Sequence, residues 1–404
     1  MIFKIAWRNI WRNKRRSIII LTSIAIGLGF TMLYDCIVRG SVQQMLDNAI
    51  NSHTSHLQIN NAGFNSNKII TNNISHSDSI INKVASLPFI KYYSPRVLNF
   101  GMITSAANTS GITLVGIEPE KERNVTIIHK SLTKGTYFST NPNEILIGEK
   151  LAEKLEVDLN DKLVLVSSAT DGSVSSEMFR VVGIFKTNSS EFDKAYVYVP
   201  IKTAQKMLLL GDNISQIAAI TDKPENINTY KSILQSKLDY HFEIFTYQEL
   251  LPLLIYYVQI ANDSMLVMYI IIGTAVLFGI INTLLMSVFE RVHEFGVLMS
   301  IGMRNGKVFR MVIEEAFILS FVGTIIGFCL GLIGYYLLSI YGLDLSVFSE
   351  SLSAFGMSTI LYPKLDLGVI INSIFIIPIT AILGAIYPAL KAIKLQPTEA
   401  MRYV

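Results

Sequence analysis

The sequence predicts an α-helical membrane protein with four transmembrane helices in a 1+3 arrangement and a large α+β extracytoplasmic domain inserted between helices 1 and 2. Three observations carry that fold class. Apolar stretches fall at residues 17–38, 264–288, 316–341 and 367–390, and the last three hold no charged residue; each has the roughly 20 residues that a hydrocarbon core of about 30 Å requires. The polar residues are concentrated between Arg39 and Asp263. Half of the chain is hydrophobic, yet 16% is charged, too much for a chain lying wholly in lipid.

Residues 1–16 read as a basic amphipathic segment, with Lys4, Arg8, Arg12, Lys14, Arg15 and Arg16 and no acid. The positive-inside rule assigns such a segment to the cytoplasm. The apolar run that follows is longer than a signal-peptide core and has no clear small-x-small cleavage site before Asp35 and Arg39, so it reads as an uncleaved anchor. One crossing puts 39–263 outside, and a second at 264–288 returns 289–315 to the cytoplasm. Spans at 316–341 and 367–390, joined by a short outer loop at 342–366, leave the tail 391–404 inside. The cations agree: Arg291, Arg304, Lys307 and Arg310 lie in the inner loop, Lys391, Lys394 and Arg402 in the tail, and only Lys364 in the outer loop. The net charge of +3 implies no nucleic-acid partner and leaves membrane lipids as the surroundings. Cys36 and Cys329 fall in or beside apolar spans, which argues against a structural disulfide.

The insert reads as a folded domain. Strand-length runs enriched in β-branched residues occur at 56–60, 112–116, 162–166, 179–183 and 195–199, with helical patterns at about 78–87, 148–156, 201–210 and 225–238. Two subdomains are expected, one from 51–117 with 214–245 and the other from 118–205. At its borders, Val38, Val42, Met45, Leu46, Ala49 and Ile50 recur at helical spacing, as do Leu250, Leu251, Leu254, Tyr257, Val258 and Ala261. Both flanking helices are therefore expected to continue past the bilayer as a stalk.

Three segments carry a family resemblance. The start, Ile5-Ala6-Trp7-Arg8-Asn9-Ile10-Trp11-Arg12-Asn13-Lys14-Arg15-Arg16-Ser17, resembles the basic amphipathic opening of ABC transporter permeases of the FtsX/MacB superfamily. Residues 289–303, from Phe289-Glu290-Arg291-Val292-His293-Glu294 to Ile301-Gly302-Met303, resemble its cytoplasmic segment. The tail from Tyr387-Pro388-Ala389 to Arg402-Tyr403 resembles its ending. Within the superfamily, Ser55-His56-Leu57-Gln58-Ile59 looks most like the lipoprotein-releasing LolC/LolE group.

The resemblance implies a MacB-like periplasmic core domain for the insert and a bacterial inner-membrane location. It also implies a coupling helix after the second span that docks on a separate cytoplasmic ABC ATPase. Glu290, Arg291 and Glu294 would meet polar partners, while Phe295, Val297, Leu298 and Ile301 would supply apolar anchoring. Gly296 and Gly302 would permit close approach or a turn. ATP and magnesium would reside on the ATPase. A second permease copy or a paralogue would complete a dimer, and a periplasmic lipoprotein carrier would be a further partner.

The residues themselves give no catalytic site, cofactor or metal. Lys134-Gly135 and Gly306-Lys307 lack the spacing of a phosphate-binding loop. His293-Glu294 has Val297 where a zinc-protease helix has its second histidine, and His53 and His56 have no accompanying Cys or carboxylate set. No G-x-S-x-G turn occurs. In the third span, Gly323, Gly327 and Gly331 form a smooth stripe suited to close helix packing, within the permease or at a dimer interface. Pro378 is expected to kink the fourth span.

Three functional readings follow. The first is release of lipoproteins from the inner membrane to a periplasmic carrier, driven by a separate ATPase. The second is MacB-like efflux of small molecules or peptides. The third is an FtsX-like regulator of cell-wall hydrolases that transports nothing.

Overall fold

A computed structural model describes residues 2–12, 14–75 and 77–394 of the chain. The end of the tail motif, 395–403, and Asn13 of the opening motif lie outside these residues. The chain divides into two compact units. A helical unit takes the residues up to Val42, Tyr257–Asp344 and those from Ile360; an α+β unit takes Gln43–Tyr256 and Leu345–Thr359.

Among the described residues, four helices are long and apolar enough to cross a membrane. The first runs Lys14–Ala49 and continues as a π-helical turn, Ile50–Thr54. The second, Pro252–Glu290, starts on a proline whose missing N–H costs nothing at a helix N-terminus. The third spans Asn305–Tyr341 and ends at Gly342, where φ is +69°. In the fourth, Leu367–Ile393, the Asp366 side chain accepts from the Val369 N–H at 3.0 Å as an N-cap. That helix is assigned without interruption through Pro378 and Pro388. Ile24, Leu28, Leu284, Val288, Val312 and Ala385 belong to the buried core that holds this unit together.

The glycine stripe is used inside the chain. A Cβ at Gly327 would stand 2.9 Å from the Ala25 carbonyl oxygen and 3.0 Å from Leu28, and Gly323 and Gly331 lie in the same way against Ile24 and Met32. The first and third helices therefore meet backbone to backbone, the approach that small residues allow. This face is filled by the chain's own first helix.

The α+β unit contains β1 (Leu57–Asn61), β2 (Ile90–Thr104), β3 (Thr109–Ile117), β4 (Leu132–Gly135), β5 (Glu144–Gly148), β6 (Lys162–Ser168), β7 (Val174–Phe185), β8 (Tyr196–Pro200), β9 (Gln216–Thr221) and β10 (Phe242–Thr246). They form one sheet in the order β10-β1-β9-β2-β3-β8-β5-β7-β4, and β6 pairs with both β2 and β7. The pairings β2-β3-β8-β5-β7-β6-β2 thus close into a ring, and β1, β9 and β10 extend from it as a wing.

This corrects the expected pair of subdomains. The strands of 118–205 cannot close without β2 and β3, because β3 pairs in parallel with β8 and the far half of β2 pairs with β6. One core runs through both groups, from Leu57 and Ile217 to Ile145 and Phe179. Leu345–Thr359, from the segment between the third and fourth helices, also belongs to this unit: Asn48 donates to the Gly356 carbonyl at 3.1 Å, and Ser190 donates to Ser353 at 2.7 Å.

Candidate functional site: the segment after the second long helix and its supports

The second long helix stops at Glu290, and Arg291 caps a new short helix, Val292–Ser300. A turn through Gly302, with φ +98°, leads into the third long helix at Asn305. The break resets the helical phase, so that Val292, Phe295 and Gly296 face inward and are buried. Arg291 is 7% exposed. Its guanidinium reaches Glu294 at 3.0 Å and Glu315 at 3.3 Å and lies 5.0 Å from the Phe295 ring centre. Glu294 is also held by Arg12, from the N-terminal helix Ile2–Arg12, at 2.9 Å. Burial pushes the Glu294 carboxyl up, but the hydrogen bonds from Arg291 and Arg12 outweigh it and hold the group below its ordinary value.

The sequence offers these residues to a partner; in the structure Arg291 and Phe295 are buried within the helical unit, Gly296 is buried beside them as close approach requires, and the half-buried Leu298 packs against the same core. Glu290, Glu294 and Gly302 are exposed, and Ile301 is 80% exposed. His293 and Val297 share this open surface; the sequence marks His293 only as half of a zinc-protease motif and not as part of the coupling surface. Ahead of the segment, Ala6 and Ile10 are buried while Trp7 and Trp11 are exposed and meet edge to face at 5.9 Å. A helix with its aromatics outward suits a membrane interface.

Two features were not read from the sequence. The first is a polar clamp in the helical unit. Asp35 is fully buried and accepts from Arg39 at 2.7 Å and from the Tyr269 hydroxyl at 3.1 Å. Arg39 also reaches Asp366 at 3.0 Å and Asn262 at 2.9 Å, so one guanidinium ties the first, second and fourth long helices together. Ionisable groups in apolar helices are costly and occur in pairs such as this. An acid within an apolar run, four residues before an arginine, was the signal available in the sequence.

The second is an apolar face on the ring of strands. Phe100, Met102, Val164, Val174 and Met178 are all exposed, and the registers of β2, β6 and β7 bring them to one face. They alternate with the buried Ile103, Leu165 and Phe179. The histidines found in the sequence go elsewhere. The His53 ring lies 4.7 Å from Tyr196, and His56 accepts from the Thr221 N–H at 3.0 Å.

Comparison with known proteins gives two family matches. The model of the MacB-like periplasmic core domain matches residues 17–237, and that of the FtsX-like permease C-terminal region matches 266–397. The lipoprotein-releasing system transmembrane protein LolC of Neisseria meningitidis serogroup B is 23% identical, over 97% of this chain and 96% of that protein. The macrolide export ATP-binding/permease protein MacB of Agrobacterium fabrum is 24% identical, over 98% of this chain and 60% of that protein. Among solved structures, the periplasmic region of MacB from Actinobacillus actinomycetemcomitans is 17% identical with a TM-score of 0.36, covering 51% of this chain and 95% of that one.

Proposed function

Since the chain belongs to the FtsX/MacB family of ABC transporter permeases, we propose that it couples ATP hydrolysis on a separate subunit to the release of lipoproteins from the inner membrane. One observation carries the choice of cargo: the resemblance to a lipoprotein-releasing transmembrane protein runs almost end to end through both chains. In this reading the chain threads the bilayer 1+3, with both ends and residues 289–304 in the cytoplasm and the α+β unit in the periplasm. The ATPase grips the open surface around Glu290, His293, Glu294, Val297 and Ile301. Its closure moves the short helix, and the ion pairs of Arg291 pass that movement to the third helix and, through Glu294, to the N-terminal helix. Two permease subunits, identical or paralogous, make up the working assembly. The exposed apolar face around Phe100, Met102 and Met178 suits a soluble carrier that must receive an acylated protein, because such a patch on a folded domain marks an interaction surface.

The likeness to a macrolide exporter supports a second reading, ATP-driven efflux of a small molecule or peptide. One reconstitution separates the two. The chain and its native ATPase are placed in proteoliposomes with a fluorescent lipoprotein, and a soluble periplasmic carrier is added. The lipoprotein reading predicts transfer to the carrier that requires ATP. An ATP-hydrolysing complex that transfers none would reject that cargo.

A further inference from the structure

The exit of the first long helix is held in an unusual way. Helix C-termini leave carbonyls without partners, and here the sheet and its loops supply partners for four in succession. The Asn51 carbonyl accepts from the Ile127 N–H at 3.0 Å, Ser52 from the Tyr198 hydroxyl at 3.4 Å, His53 from Arg96 at 2.5 Å and Thr54 from the Gln58 amide at 2.9 Å. The next residue, Ser55, has φ +62° and ψ −178° and is fully buried. That region of backbone space is essentially restricted to glycine and persists only where the surroundings over-determine it.

Arg96 is what over-determines it. It sits on β2, between β3 and β9, with no exposed surface. Besides the His53 carbonyl it reaches the Ser55 hydroxyl at 3.5 Å, and it pairs with the equally buried Glu122 through two hydrogen bonds of 2.7 and 3.1 Å. A planar guanidinium with several fixed donors can satisfy a carboxylate and a helix end together, which an ammonium cannot. The exit turn therefore has no freedom of its own, and the chain leaves it directly into β1.

We infer that Arg96, oriented by Glu122, is the positioning residue of a rigid joint that makes the last turns of the first long helix and the sheet one body. Movement of that helix is then delivered to the substrate-handling domain and is not absorbed at the turn. The inference rests on the proposed ATP-driven function for its consequence but not for the joint itself.

Two variants test it in the full chain. Arg96→Met removes the guanidinium. Ser55→Gly gives up only the long contact of Arg96 with the Ser55 hydroxyl, keeps the four carbonyl bonds and the Glu122 pair, and relieves the backbone, so it does not lower the melting temperature, yet it frees the turn. Spin labels are placed at the exposed Asp47 and Val174, on the two sides of the joint, with Cys36 and Cys329 replaced by serine. The wild-type background gives one narrow distance distribution that is unchanged by ATPase and nucleotide. Each variant about doubles its width and cuts lipoprotein transferred per ATP hydrolysed at least tenfold, with basal hydrolysis within about twofold. Unchanged widths overturn the joint. Broadened widths with undiminished transfer per ATP overturn its role in transmission. A chain that binds no ATPase or transfers nothing even as wild type refutes the proposed function, while the distance measurement still decides the joint.

Discussion

Asp193 is 2% exposed and accepts from the Thr187 N–H and hydroxyl, and burial pushes its carboxyl up from 3.8 to about 6 against those hydrogen bonds. The folded chain therefore holds this proton more tightly than the unfolded chain does. The associated stability is complete below pH about 4 and is lost as the pH rises through about 6, by about 3 kcal/mol in all. Asp193→Asn keeps an acceptor for Thr187 and removes the titration. Thermal unfolding of the full chain in lipid nanodiscs should show the melting temperature falling between pH 4 and 6 in the wild type and much less in the variant; equal slopes would contradict this account. The buried pair of Arg96 and Glu122 differs in kind. Neither group is exposed, and removing one partner of such a pair costs about 3–5 kcal/mol, so Ser55→Gly is the cleaner probe of the joint.

At the scale of elements, legibility followed hydrophobic pattern. The four apolar helices were visible because composition alone marks them, and β6 to β8 were visible because they alternate or run apolar. The longest strand, β2, was missed. Its middle reads Ser94-Pro95-Arg96 and its buried stretch includes Asn99. Polar residues with buried partners look like loop to any hydropathy reading. The closure of the ring was hidden for another reason: β2 meets β6 across some sixty intervening residues, and no local pattern records such a pairing. In the short helix after the second span, the residue types were legible but their directions were not. The break at Arg291 shifts the helical phase and turns Phe295 inward.

The glycine stripe yields a prediction at the same scale. Gly327→Val would drive a Cβ into the Ala25 backbone, whereas a Cβ at Gly279, in the second long helix, meets nothing within 4 Å. Overpacking of this sort costs about 1–3 kcal/mol. The purified Gly327→Val chain should melt several degrees below wild type, and Gly279→Val should not. Equal melting temperatures would show that the first and third helices do not meet there in the membrane.

For the molecule as a whole, the proposed function requires movement to enter at one small surface and to be delivered through long helices. The clamp of Arg39 on Asp35, Asn262 and Asp366 ties three of those helices together, and Arg291 and Glu294 tie the short helix to its neighbours. The proposed function depends on a separate ATPase acting at residues 289–304. A photo-crosslinking residue at Ile301, 80% exposed, tests this in cells, with Phe295 at 1% and Val347 at 92% as comparison positions. The account predicts an adduct with the ATPase at Ile301, none at the buried Phe295 and none at Val347 in the outer loop. No adduct at Ile301, or one at Val347, would contradict it.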